Sequence, residues 1–251
     1  MRTVRSFAVV TTVATAVVMT VATAVVMTAT TLVVGTATSA DASSGGPVAR
    51  WDMNEPAGSR TMIDSSGHGL RGSIGREIAP GVRVGGATAY RFARLDPDTP
   101  PTHPEHLATV PDTAALDPGT RDYAITVRLR TTHRFGNIVQ KGQATVSGGN
   151  FKLQIPSGHV QCLFRGSAGT ALVTSPRALN NGDWHTVRCE RTDSGVTLDV
   201  DGDTVARRSG WTGRIANAWP LAIGGKTGCD QMYVGCDYYA GDIDYVEIDA
   251  Y

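Results

Sequence analysis

From residue 46 onward, helical periodicity is almost absent from this 251-residue chain. Short runs in which apolar and polar residues alternate recur instead, each bounded by Gly, Pro, Asn or Asp. That is the pattern of half-buried β-strands. It predicts strands over Val48–Asp52, Ala87–Phe92, His106–Val110, Tyr123–Thr131, Asn137–Lys141, Phe151–Ile155 and Val160–Arg165. Further strands are predicted over Ala171–Ser175, Trp184–Arg191, Val196–Val200, Thr204–Arg208, Leu221–Ile223 and Asp242–Asp249. Asp201-Gly202, between Val200 and Asp203, is a hairpin signal, because an Asp-Gly turn matches the twist of paired strands. Many short strands with such turns predict an all-β fold, a two-sheet antiparallel jelly-roll sandwich. The segment Ala93–His106 holds Pro97, Pro100, Pro101 and Pro104 and reads as an exposed loop, since proline cannot donate to a ladder.

The N-terminal residues follow a different pattern. Arg2 and Arg5 precede a Val/Ala/Thr/Met run from Phe7 to Val34, and no charge follows until Asp41. A basic start, an apolar middle and the A-x-A exit Ala40-Asp41-Ala42 read as a secretory signal. The apolar run is long because Val13–Thr20 is repeated unchanged as Val21–Thr28. The segment therefore approaches bilayer-spanning length, and an uncleaved anchor stands as the alternative to cleavage. The domain plan is a signal segment over 1–42 and one jelly-roll domain over 43–251, with a secreted, extracellular destination.

Lys plus Arg and Asp plus Glu both number 23, so nothing resembles a basic footprint for nucleic acid. No apolar stretch after the leader is long enough to cross a membrane. Arginine outnumbers lysine twenty to three, a bias typical of GC-rich bacterial genomes. Cys162, Cys189, Cys229 and Cys236 all lie in the exported part, and an even number there points to two disulfides. Cys162 shares a strand face with Val160 and Phe164, and Cys189 shares one with Val187. Both therefore sit on apolar faces, where a bridge between packed strands is expected. Cys229 and Cys236 would then pin the short segment between them. No Cys/His pair has zinc-ligand spacing.

Several motifs together resemble the laminin G-like or concanavalin A-like jelly rolls. Trp51-Asp52-Met53-Asn54-Glu55 is similar to that family's opening strand, and Asp64-Ser65-Ser66-Gly67-His68-Gly69 to its Asp-Ser-Ser-Gly turn. Tyr123-Ala124-Ile125-Thr126-Val127 and Asp183-Trp184-His185-Thr186-Val187 resemble inner strands. Asp199-Val200-Asp201-Gly202 resembles a hairpin, and Gly241-Asp242-Ile243-Asp244-Tyr245-Val246 the closing strand. The resemblance runs from about Val48 to Tyr251. It implies the jelly-roll fold, but that fold hosts lectins, adhesion modules and glycoside hydrolases, so function must come from a site. It also implies calcium as a structural cofactor, with Glu55, Asp64 and Asp244 in the matching motifs as metal ligands. For Asp64, capping of its own turn is the competing role.

Two catalytic readings are weighed and set aside. Asp242-Ile243-Asp244-Tyr245-Val246-Glu247 resembles the Glu-Ile-Asp-x-x-Glu strand of laminarinase-type glucanases. It begins with Asp rather than Glu, however, and lies on the last strand, so Ile243 is expected in the core. His185 beside Trp184 has neither a Gly-x-Ser-x-Gly elbow nor an evident nucleophile. The ligand-contact candidates are instead aromatic: Trp211 and Trp219 in a Gly/Asn/Ala-rich stretch, with Tyr238 and Tyr239. The combined expectation is a secreted, non-catalytic module that binds a carbohydrate or cell-surface glycan. A protein-binding adhesion module and a concanavalin A-like glycoside hydrolase are the alternatives.

Overall fold

A computed structural model describes residues 46–95, 105–227 and 237–251. The strands, in order, are β1 (Ala49–Trp51), β2 (Thr61–Met62), β3 (Gly72–Ile74), β4 (Ile78–Val84), β5 (Ala87–Phe92), β6 (Ala108–Val110), β7 (Tyr123–Arg130) and β8 (Asn137–Lys141). They continue with β9 (Asn150–Gln154), β10 (His159–Gly166), β11 (Gly169–Ala178), β12 (Trp184–Arg191), β13 (Gly195–Val200), β14 (Asp203–Ser209), β15 (Leu221–Ile223) and β16 (Gly241–Ala250). One antiparallel sheet runs β14-β13-β12-β7-β16-β5-β4, with β1 also paired to β16. The other runs β11-β10-β9-β8-β15-β6-β3-β2. The expected two-sheet jelly roll is the fold observed.

Alternation decides which side chains lie between the sheets. On β7, Tyr123, Ile125, Val127 and Leu129 point inward and are fully buried, while Arg128 and Arg130 point outward. Facing them from the second sheet are Phe151 and Leu153 of β9 and Val160, Cys162 and Phe164 of β10. Tyr123, Phe151 and Phe164 form an aromatic trio with centroids 5.3 to 6.3 Å apart. Each such side chain contributes roughly 1.5–3 kcal/mol by leaving water. Cys162 of β10 is bonded to Cys189 of β12 across the core, so the expected bridge joins the two sheets. The expected Cys229–Cys236 bridge and the signal segment 1–42 lie outside the described residues, as does most of the proline-rich loop.

Several strands depart from simple alternation. β2 and β3 are two and three residues long, too short to show a period. β4 contains Pro80 and Gly81, and its register with β5 shifts between Ala79 and Val82. An edge strand tolerates that proline because its outer amides need no ladder partner. The predicted strand His106–Val110 begins two residues later, at Ala108, because His106 turns inward and pairs with Glu77. In β16 the core residues Ile243 and Val246 are three apart, not two. A bulge opposite β7 between Ile243 and Tyr245 inserts the extra residue and sends Tyr245 outward, where the Arg50 guanidinium covers its ring at 4.4 Å.

The outer faces of the two sheets differ in chemistry. That of the first sheet is laced with ion pairs. Arg50 meets Asp52 and Glu247, Arg128 meets Asp244, and Arg188 meets Asp249 and Glu190. That of the second sheet mixes hydroxyl and amide side chains with apolar and cationic ones. Ser73, Thr109, Ala222, Gln140, Lys152 and Leu163 follow one another across β3, β6, β15, β8, β9 and β10.

Candidate functional site

The candidate site lies where this face meets the loop between β8 and β9. Register places Gln140 opposite Lys152 and Lys152 opposite Leu163, while Asn150 stands opposite Arg165. These side chains point away from the core because their neighbours Lys141, Phe151 and Phe164 point into it. With Gln143 and the Lys226–Asp237 pair (3.0 Å), they surround a cleft of about 170 Å³.

Hydrogen bonds fix much of the lining. Asn137 Nδ2 donates to Gln140 Oε1 at 2.8 Å, and Gln140 Nε2 donates to the Gly142 carbonyl at 2.7 Å. Arg165 Nη2 donates to the Gln143 carbonyl at 2.7 Å, tying the loop over the cleft to β10. Gln140 and Asn150 are only 5% and 4% exposed despite their outward direction, so they form the cleft floor. Two acceptors are left over. Asn150 Oδ1 and Gln143 Oε1 are buried and have no hydrogen-bond partner. A buried carbonyl oxygen without a donor costs about 1–3 kcal/mol, so the cleft is short of donors in the free protein.

The loop can sit this close only because Gly148 and Gly149 have no side chains. A Cβ at Gly148 would lie 1.9 Å from the Ala216 carbonyl oxygen, and one at Gly149 would lie 2.3 Å from that of Arg165. The segment that contains Trp211 and Trp219 docks on the same loop. Ala216 N donates to the Gly148 carbonyl at 2.8 Å, and Asn217 Nδ2 donates to that of Gly149, next to Asn150, at 3.0 Å.

The sequence-derived candidates are distributed differently from expectation. Trp211 is exposed (48%) and Trp219 half-buried. Tyr239 is 1% exposed, so it cannot stack on a ligand. Its ring packs edge-on against Phe92, its hydroxyl donates to the Arg130 carbonyl at 2.9 Å, and burial pushes the phenol well above its ordinary range. Tyr238 is buried on Leu107 and His106, and burial, with Glu77 nearby, pushes its phenol up to about 12. Both tyrosines are therefore core residues, packed so closely on Gly136 and Gly225 that a Cβ there would lie 2.5 Å from Tyr239 Cα and 2.8 Å from Tyr238 Cδ1.

The calcium set does not assemble either. Glu55 accepts from Ile63 N at 2.7 Å and from the Tyr90 hydroxyl. Asp64 accepts from Arg50 N, Ser66 N and Leu70 N at 2.8 to 3.1 Å. Asp244 is paired with Arg128 at 2.5 Å. Each carboxylate is satisfied by protein donors, and no group of three or more His, Cys, Asp or Glu among the described residues is placed to hold a metal. Asp64 serves as the cap of its own turn. These residues do not fit the cation.

The glucanase-like strand shows the same commitment to structure. Asp242 pairs with Arg91 and Glu247 with Arg50, while Ile243 is in the core as expected. His185 bonds Asp201 at 2.7 Å and Asn181 at 3.0 Å, holding the Asp201-Gly202 hairpin. The cleft amides were not singled out by the sequence. On a strand, Asn150 and Gln140 look like any outward polar residues. What distinguishes them is burial, which depends on loops far away in sequence.

Residues 129–244 match the family model of the laminin G domain. Among solved structures, the chain is similar to mouse laminin α1 chain domains LG4-5, with TM-score 0.51 and 18% identity over 71% of this chain and 46% of that one. It is also similar to the binding domain of Paraclostridial mosquitocidal protein 1, with TM-score 0.55 and 11% identity over 82% and 48%. A third is botulinum neurotoxin type C, with TM-score 0.53 and 12% identity over 81% and 46%. The chain thus spans about half the length of these structures. No curated protein matches it. These likenesses define the class of fold. The chain carries the laminin G-like jelly roll.

Proposed function

We propose that this domain binds a saccharide, one hydroxyl-rich unit of a cell-surface or matrix glycan, at the amide cleft on β8, β9 and β10. One observation carries the reading: the unpartnered acceptors Asn150 Oδ1 and Gln143 Oε1 in one cleft. A sugar hydroxyl supplies the missing donor, and its oxygen can accept in turn from neighbouring cationic or amide N–H groups. Cleft volume suits part of one sugar ring, and the segment that carries the exposed Trp211, docked through Ala216 and Asn217 on the loop beside Asn150, is the candidate for further contacts. The fold supports this reading, since cell entry of botulinum neurotoxin type C depends on interaction with two ganglioside molecules.

The module works outside the cell in this reading. The basic-apolar-small leader and the Cys162–Cys189 disulfide between the sheets both suit an oxidising compartment. No helix among the described residues is long and apolar enough to cross a membrane. A glycan array with the purified protein, run with chelator and with millimolar calcium, is the test. Saturable binding to a defined glycan class in both conditions supports the proposal, and an empty array counts against it.

A further inference from the structure

A second cleft, of about 270 Å³, opens at the end of the first sheet. It is built by a single cross-strand row. Arg91 of β5 stands opposite Asp242 of β16, which stands opposite Arg130 of β7. Asp242 is buried and holds Arg91 through two bonds, from Nε at 2.7 Å and from Nη2 at 3.1 Å. Arg130 Nη1 lies 3.7 Å from the same carboxylate, and its Nε donates to the Gly182 carbonyl. Arg94 and His133 complete the wall from the segments that follow β5 and β7.

The charge of this row is unlike that of the others on the sheet. Arg50 has two carboxylates, Arg128 has one and Arg188 has two. Here two guanidinium groups share the one carboxylate of Asp242, and Arg94 adds a third with no protein partner among the described residues. Burial, and then Arg94, hold the His133 imidazole below its ordinary range, so at neutral pH it is an uncharged donor at the wall. Arg91 and Arg130 are already fixed by bonds through Nε, so little side-chain freedom remains to be lost on binding.

We infer that this cleft is an oxyanion site, distinct from the amide cleft, that takes a carboxylate, sulfate or phosphate group through Arg91, Arg94 and Arg130. Planar guanidinium donors with surplus charge suit such a group, and the amide cleft, short of donors rather than acceptors, does not. The inference does not rest on the saccharide reading of the other site.

The test is a titration of the intact protein at constant ionic strength, followed by the NMR signals of the His133 ring. Glucuronate, glucose 6-sulfate and glucose 6-phosphate are the probes, and glucose and chloride are the controls. Saturable shifts with at least one charged probe, absent with both controls, are expected. Which probe binds tightest identifies the group. Arg94→Gln should weaken that probe at least fivefold, and Arg94→Lys should recover part of the loss. Arg94 makes no hydrogen bond that the fold needs, so circular dichroism should be unchanged. No saturable shift, equal shifts with chloride, or unchanged affinity in Arg94→Gln would each overturn the assignment.

Discussion

Cys162 and Cys189 are bonded across the core with their Cα atoms 5.5 Å apart, one on each sheet of the sandwich. The bond closes a loop with a sequence separation of 27, and it joins strands β10 and β12, which share no backbone ladder. On the chain-entropy view, a loop of that length restricts the unfolded state by about 3–4 kcal/mol. Replacing both cysteines by alanine should lower unfolding free energy in urea by roughly that amount while leaving the far-UV spectrum intact. A loss below about 1 kcal/mol would show that the bridge constrains little.

Lys141 is a second tie, buried on the inward face of β8. Its Nζ lies 2.7 Å from Asp112 Oδ1, 2.7 Å from Asp117 Oδ1 and 2.6 Å from the Asn217 carbonyl oxygen. It thereby anchors Asn217, whose side-chain amide holds the Gly149 carbonyl next to Asn150. Removing one side of a buried pair strands the other, so Lys141→Met should cost about 3–5 kcal/mol. Adding Asp112→Asn and Asp117→Asn to that variant should restore part of the loss. Equal stability of the single and triple variants would argue that packing, not charge, dominates there.

Asp64 gives a pH-dependent contribution. Burial alone would raise its pKa, but donors from Ser66, Leu70 and Arg50 outweigh burial and hold it below the ordinary carboxylate value. A depressed folded-state pKa contributes stability that is fully present above about pH 4 and is lost as the pH falls through the folded value. Asp64→Asn, which turns one acceptor into a donor facing Leu70 N, should destabilise by about 1–2 kcal/mol at pH 6. The gap from wild type should narrow below pH 4, because the wild-type carboxylate protonates there. A gap independent of pH would contradict the assignment of charge to this cap.

Trp211 has no place in the core, being nearly half exposed. Trp211→Ala should shift unfolding free energy by less than about 1 kcal/mol. If it contacts ligand beside the amide cleft, affinity should fall by more than its stability does. A large loss of stability would instead make it a packing residue.

The fold was legible because its strands are long and alternate cleanly, as β7, β10 and β12 do, and because Cys162 and Cys189 lie on apolar faces. What was hidden depends on contacts distant in sequence. The bulge in β16 that turns Tyr245 outward leaves no period to read, and β4 conceals its pairing behind Pro80-Gly81. Aromatic side chains near glycines suggest an exposed surface equally whether they point out, as Trp211 does, or in, as Tyr239 does. The carboxylates Glu55, Asp64 and Asp244 resemble metal ligands until their own backbone and arginine donors are seen. Amides such as Asn150 carry no signal until a loop buries them.

The central claim is that the unpartnered oxygens of Asn150 and Gln143 receive hydroxyl donors from a saccharide. Isothermal titration of the array's best glycan against wild type, Asn150→Leu and Gln143→Leu tests it most directly. Leucine removes the acceptor at similar volume, so both variants should fold at least as stably as wild type, since an unsatisfied group is lost. Each should bind at least tenfold more weakly, a change of about 1.4 kcal/mol or more. Folded variants with wild-type affinity would contradict the account and place the binding surface elsewhere on the jelly roll.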